Sequence, residues 1–165
     1  MKTKEIVLAA MFVAIGMVLP FLTGQIPEIG SQLSPLHFPI FIGGMLLGPK
    51  MGLIMGSVLP LLRSVTFGMP PMIAAICMAF EMAAYGYVAG LMYKEKKHNI
   101  YVSLISSMLV GRLVWGIASF IIQGAVGNNF GLMMFINGAF LTAIPGIALQ
   151  LLIVPALVKA LEKAI

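Results

Sequence analysis

The sequence predicts an all-α membrane protein, a bundle of six transmembrane helices with both termini in the cytoplasm. Three observations carry that prediction. Hydrophobic residues make up 61% of the 165 and charged ones 9%, which is too little polar surface to keep a domain of this size in water. Apolar runs of about 20 residues, long enough to cross a bilayer, follow one another almost without a break. Every lysine falls at the ends of those runs. Little chain is left over, so residues 1–165 read as a single integral membrane domain.

The first span covers about 5–23. Lys2 and Lys4 precede it as in a signal peptide, but the run is long, no small-x-small cleavage site follows, and further spans do. It therefore reads as a retained first helix. A polar loop, "GQIPEIGSQLSP", comes next. The second and third spans, about 36–48 and 51–65, form a tight hairpin around "GPKMG". Both are short and interrupted by Pro39 and Pro60, so a four-span protein with a re-entrant hairpin is the other reading. The fourth span, 71–93, ends at "KEKKHN". The fifth, 100–123, is followed by "GAVGNNFG", and the sixth covers 132–161.

Orientation follows from the lysines. Lys2 and Lys4, Lys50, Lys94 with Lys96 and Lys97, and Lys159 with Lys163 all fall on one side of a six-span protein. The loops after spans one, three and five contain none. The excess of basic residues marks the cytoplasmic side. Small residues recur four apart, as in Ala10/Ala14, Gly44/Gly48, Gly52/Gly56, Ala79/Ala83 and Gly86/Gly90. Such pairs let helix backbones approach closely in lipid, chiefly within the bundle, with an intermolecular face for one or two of them.

Several functions are excluded. The net charge of +5 is dispersed in short lysine clusters with no basic face, so nucleic acid is not a partner. A single cysteine, Cys77, permits neither a disulfide framework nor a cysteine metal site. "GGMLLGPK" approaches a phosphate loop, but Pro49 stands where the lysine belongs and no Ser or Thr follows. The two histidines, His37 and His98, form no metal motif, and no nucleophile elbow is present. Neither an enzyme nor a resident cofactor is expected.

Three ionisable residues lie within the spans: Arg63, Glu81 and Arg112. Each costs at least ~2.5 kcal/mol at bilayer depth unless paired or hydrated. Glu81 stands twelve residues before Tyr93, and Arg112 twelve after Ile100. At 1.5 Å per residue both lie about 18 Å from the same turn, so two antiparallel neighbours bring them together. Trp115, Gly116, Ser119 and Gln123 continue the face of Arg112 outward, while Ile105, Met108 and Leu109 close it inward. That pattern describes a cavity open to the outside with a charged floor. Arg63, Asn137, Asn128, Asn129 and His37 all stand within reach of it. The other reading of the Glu81–Arg112 pair is a lock between two helices. Trp115 and Tyr85 divide between packing and stacking on a ligand, and His37 between a cap and a ligand contact.

With these features in place, the sequence resembles the substrate-binding S-components of energy-coupling factor (ECF) vitamin transporters. The resemblance covers nearly the whole chain and rests on small size, six spans, "AMFVA" at 10–14 and "LHFPIFIGGMLLGPKMGLIMG". It implies a multi-pass protein of a prokaryotic cell membrane that captures a water-soluble vitamin in an outward-facing pocket lined from spans four to six. Ala10 and Ala14 would then dock on a transmembrane coupling subunit bearing two cytoplasmic ATPase subunits, which use the ATP. The loop "GQIPEIGSQLSP" becomes a candidate lid, and the protein topples in the membrane on docking. Two arginines against one glutamate leave a spare positive charge suited to a carboxylate. Within the family that favours pantothenate over neutral pyridoxine or hydroxymethylpyrimidine. Two other classes stay open: a proton-coupled secondary transporter using Glu81, and a structural subunit of a membrane complex.

Overall fold

A computed structural model of the chain describes residues 3–23 and 32–163. Six helices order them: α1 Thr3–Leu22, α2 His37–Leu47, α3 Pro49–Phe67, α4 Met72–Glu95, α5 Ile100–Ala125 and α6 Leu132–Glu162. Among the described residues, five of these are long and apolar enough to cross a membrane, and α2 is the exception. Its 11 residues reach about 17 Å at 1.5 Å per residue, roughly half of a hydrocarbon core. The expected second span is therefore a short internal helix. Nearly all of it is buried, and it packs on α1, α3, α4 and α6.

The prolines expected to interrupt these helices do not. Pro39 sits in the first turn of α2, where a backbone N–H has no helical acceptor, and Pro60 lies inside an α3 that continues to Phe67. The hairpin turn shrinks to one residue. Gly48 takes φ +103, a conformation open to glycine, and Pro49 starts α3 directly. In α1 the helix tightens into a 3₁₀ turn at Leu19–Thr23, and it buries Ala9, Phe12 and Gly16 against α2 and α3.

The small-residue pairs find their partners inside the bundle. A Cβ on Gly52 would land on the backbone of Gly86, and one on Gly86 on the backbone of Gly52. Gly56 meets the backbone of Met82 in the same way, and Gly44 that of Gly86. Helices α2, α3 and α4 thus touch main chain to main chain, the close approach that replaces hydrophobic driving force in lipid. Ala10 and Ala14 differ: both lie on the exposed side of α1.

All described lysines gather at one end of the bundle. The Lys94 stem lies against Gly48, at the start of α3, and Tyr93 donates a hydrogen bond to Glu162 of α6 at 3.0 Å. At the opposite end Phe21 of α1 meets Phe67 of α3 edge to face at 5.0 Å, so α1 and α3 run parallel and Lys4 joins the same group. Helix α5 starts behind Asn99, whose side chain accepts from the Tyr101 N–H, and packs along α4. Helix α6 is less regular, with a π-helical turn at Asn137–Leu141 and a fresh start at Ile144, with Pro145 in its first turn. Residues 24–31, most of the proposed lid, lie outside the described residues. Just beyond them the chain turns inward, its backbone at Gln32 and Leu33 against Gly146 of α6, and Pro35 and Leu36 are buried.

Candidate functional site

Counting residues from the lysine end places a set of polar side chains at one depth. Tyr85 stands ten residues before Glu95, His37 ten before Leu47, Arg112 twelve after Ile100 and Gln150 twelve before Glu162. At 1.5 Å per residue these lie about 15–18 Å from that end, and Glu81 one turn further. All five are buried. They come from α2, α4, α5 and α6, and α2 begins at this depth, so the layer is where the short helix leaves the bundle to its neighbours.

The electrostatic centre is the pair expected from the depth match. Arg112 Nη1 lies 3.4 Å from Glu81 Oε1, with the two side chains 9% and 4% exposed. Tyr85, one turn along α4, donates its hydroxyl to the same oxygen at 2.6 Å. The His37 ring packs on Tyr85 at 5.1 Å between centroids, and Phe41 on Tyr85 at 4.8 Å. Gly111 admits the Tyr85 ring, because a Cβ there would strike it. These rings pack around the Tyr85 side chain that bonds Glu81, and burial of the pair strengthens its attraction.

Four buried polar atoms here and just beyond have no hydrogen-bond partner: His37 Nδ1, Arg112 Nε, Ser119 Oγ and Gln150 Nε2. Each would cost about 1–3 kcal/mol if left unsatisfied, so these atoms are open to a further partner, water or ligand. Arg112 Nε and Gln150 Nε2 are donors, so the complement is rich in acceptors. Gln150 comes from α6, which packs on the helix bearing His37. Its signal in the sequence is plain: it is the sole polar residue of "IALQLLIVPALV".

The remaining residues singled out from the sequence stand elsewhere. Arg63 is buried, donates to the Met17 carbonyl at the end of α1 and lies between Phe21 and Phe67, 5.1 and 5.2 Å from their centroids. It is satisfied there and does not join the Arg112 layer. Trp115 is half-buried, stacked at 6.3 Å on Phe135 and edge to face with Phe130 at 5.6 Å. Asn128 and Asn129 are exposed in the turn after α5, and Asn137 is exposed in the π-helical turn of α6.

The family model described as the ECF transporter, substrate-specific component, matches residues 4–158. No curated protein and no solved structure matches the chain.

Proposed function

Because the chain belongs to the family of ECF transporter substrate-specific components, we propose that His37, Glu81, Tyr85, Arg112, Ser119 and Gln150 form the site where it captures a small water-soluble vitamin or precursor. Members of this family are the substrate-binding subunits of membrane transporters and are not enzymes. The observation that carries the assignment is the buried Glu81–Arg112 pair at mid-depth, with His37 and Gln150 counted to the same level on neighbouring helices and each bearing a buried polar atom without a partner.

The charge count sets the ligand class. The case for pantothenate needs two arginines facing one pocket, and Arg63 is engaged by the Met17 carbonyl and two phenyl rings. Glu81 and Arg112 then balance to zero. An anion would have to draw Arg112 away from Glu81, whereas an uncharged ring compound of the pyridoxine or hydroxymethylpyrimidine kind meets Arg112 Nε and Gln150 Nε2 with the pair closed. The neutral class is therefore favoured, and pantothenate is the anionic competitor.

The rest of the reading follows the family. The lysine-bearing end faces the cytoplasm, in keeping with the positive-inside rule; α2 is too short to cross alone, so α2 and the chain leading into it together count as the second of six passes, which leaves both termini inside. Ala10 and Ala14, exposed on α1, form the docking face for the transmembrane coupling subunit and its two ATPases. The proton-coupled and purely structural alternatives lose their ground with family membership.

The test is a thermal-shift screen of the purified protein against the water-soluble vitamins and their precursors, with pyridoxine, hydroxymethylpyrimidine and pantothenate among them. One neutral member should raise the melting temperature, and Gln150→Leu should remove that rise. Stabilisation by pantothenate alone would overturn the ligand class, and no stabilisation by any water-soluble vitamin would overturn the site.

A further inference from the structure

A cavity of about 400 Å³ opens at the lysine end, remote from the polar layer and unused by substrate capture. Its wall is the end of α4, which widens into a π-helical turn at Leu91–Glu95 and then doubles back. The Lys96 N–H bonds to the Leu91 carbonyl and the His98 N–H to the Met92 carbonyl, both at 2.9 Å. This reversal puts Lys97 in the left-handed region at φ +57, where glycine or asparagine is the less strained choice. The outcome is that Lys94, Lys97 and His98 line the cavity together, while Lys96 does not.

The cavity lining is cationic and amphipathic. Two lysines face one acid, Glu162, whose carboxylate already accepts from Tyr93. The stem of Lys94 runs over Gly48 at the α2–α3 turn, which fixes the base of its ammonium arm. Met45 and Leu46, in the last turn of α2, form the floor. A pair of point-charge cations suits a phosphate, and an apolar floor beside it suits the carbon skeleton attached to that phosphate. Lysines at the end of a transmembrane helix stand at the level of lipid headgroups.

We propose that this cavity binds the phosphate headgroup of an anionic membrane lipid, with Lys94 and Lys97 on the phosphate and Met45 and Leu46 against the glycerol and first acyl carbons. The experiment titrates phosphatidylglycerol or phosphatidylcholine into the whole protein in detergent and reads bound lipid by native mass spectrometry. Wild type prefers phosphatidylglycerol. Lys94→Gln/Lys97→Gln weakens that binding about thirtyfold, each lysine near an anionic surface being worth roughly fivefold. Lys94→Arg/Lys97→Arg retains it, and Lys159→Gln/Lys163→Gln, which removes the same charge outside the cavity, leaves it within twofold of wild type by the same measure. An equal loss in the Lys159/Lys163 variant would reduce the effect to general surface charge and overturn the site. Glycerol phosphate competing as strongly as the lipid would overturn the lipid assignment in favour of a soluble phosphate ester.

Discussion

Replacing Arg112 with methionine tests whether the central pair locks the bundle, holds the ligand, or does both. The guanidinium lies 3.4 Å from Glu81, so the direct attraction is about 5 kcal/mol at an effective dielectric of about 20. Loss of the arginine leaves a buried carboxylate with only the Tyr85 hydroxyl, and removing one partner of a buried pair costs about 3–5 kcal/mol. The double variant Arg112→Met/Glu81→Gln keeps an acceptor for Tyr85 and leaves no uncompensated charge, so its stability should return to within about 1 kcal/mol of wild type. Unfolding is followed in detergent by the fluorescence of Trp115, the single tryptophan, with and without the stabilising vitamin. The expected result is a large loss in the single variant, recovery in the double, and no vitamin stabilisation in either. A double variant that still responds to the vitamin would reduce the pair to a helix lock. A single variant that loses less than about 1 kcal/mol would refute the electrostatic argument itself.

The remaining predictions probe other elements. Gly86→Ala forces a Cβ onto the Gly52 backbone and should cost 3 kcal/mol or roughly that, whereas Gly124→Ala, with nothing within 4 Å of the new atom, should be neutral or gain up to ~1 kcal/mol; thermal unfolding of the two side by side decides it. Arg63→Met should destabilise by about 2–3 kcal/mol through the lost charged hydrogen bond and two ring contacts, yet leave vitamin affinity intact, and a lost affinity by calorimetry would return Arg63 to the pocket. Ala10→Leu/Ala14→Leu should abolish uptake in cells that carry the coupling subunit and ATPases while vitamin binding persists; a loss of binding would speak against a docking role.

Much of this architecture is legible in the residue pattern because lipid imposes simple rules. Long apolar runs, lysines confined to alternate ends and two charges at equal distance from one turn fixed the helices and the Glu81–Arg112 contact. Lengths were harder. Hydropathy does not distinguish a short helix buried by protein from a spanning helix wetted by lipid, which is why 36–48 reads equally as a short span or as part of a re-entrant hairpin. Pro39 and Pro60 misled for a related reason: a proline's effect depends on whether its position needed an N–H. The charge of Arg63 points toward the pocket, but its partners are a backbone carbonyl and two phenylalanines, which leave no charge pattern to read. Gln150 carries no charge, so only its being the one polar residue in its stretch of α6 signals it.

The main-chain contacts of α2, α3 and α4 also distribute compliance unevenly through the molecule. Where Gly44, Gly52 and Gly56 meet α4, no side chain stands between backbones, so there is no rotamer to change and no gap to close. On the far side, the outer stretch of α6 exposes Leu132, Met133, Met134 and Leu141 and joins the rest of its helix through a π-helical turn. Any displacement on admitting a solute is therefore expected in α6 before it is expected across the three glycine-seamed helices, where the backbones leave no side chain to yield.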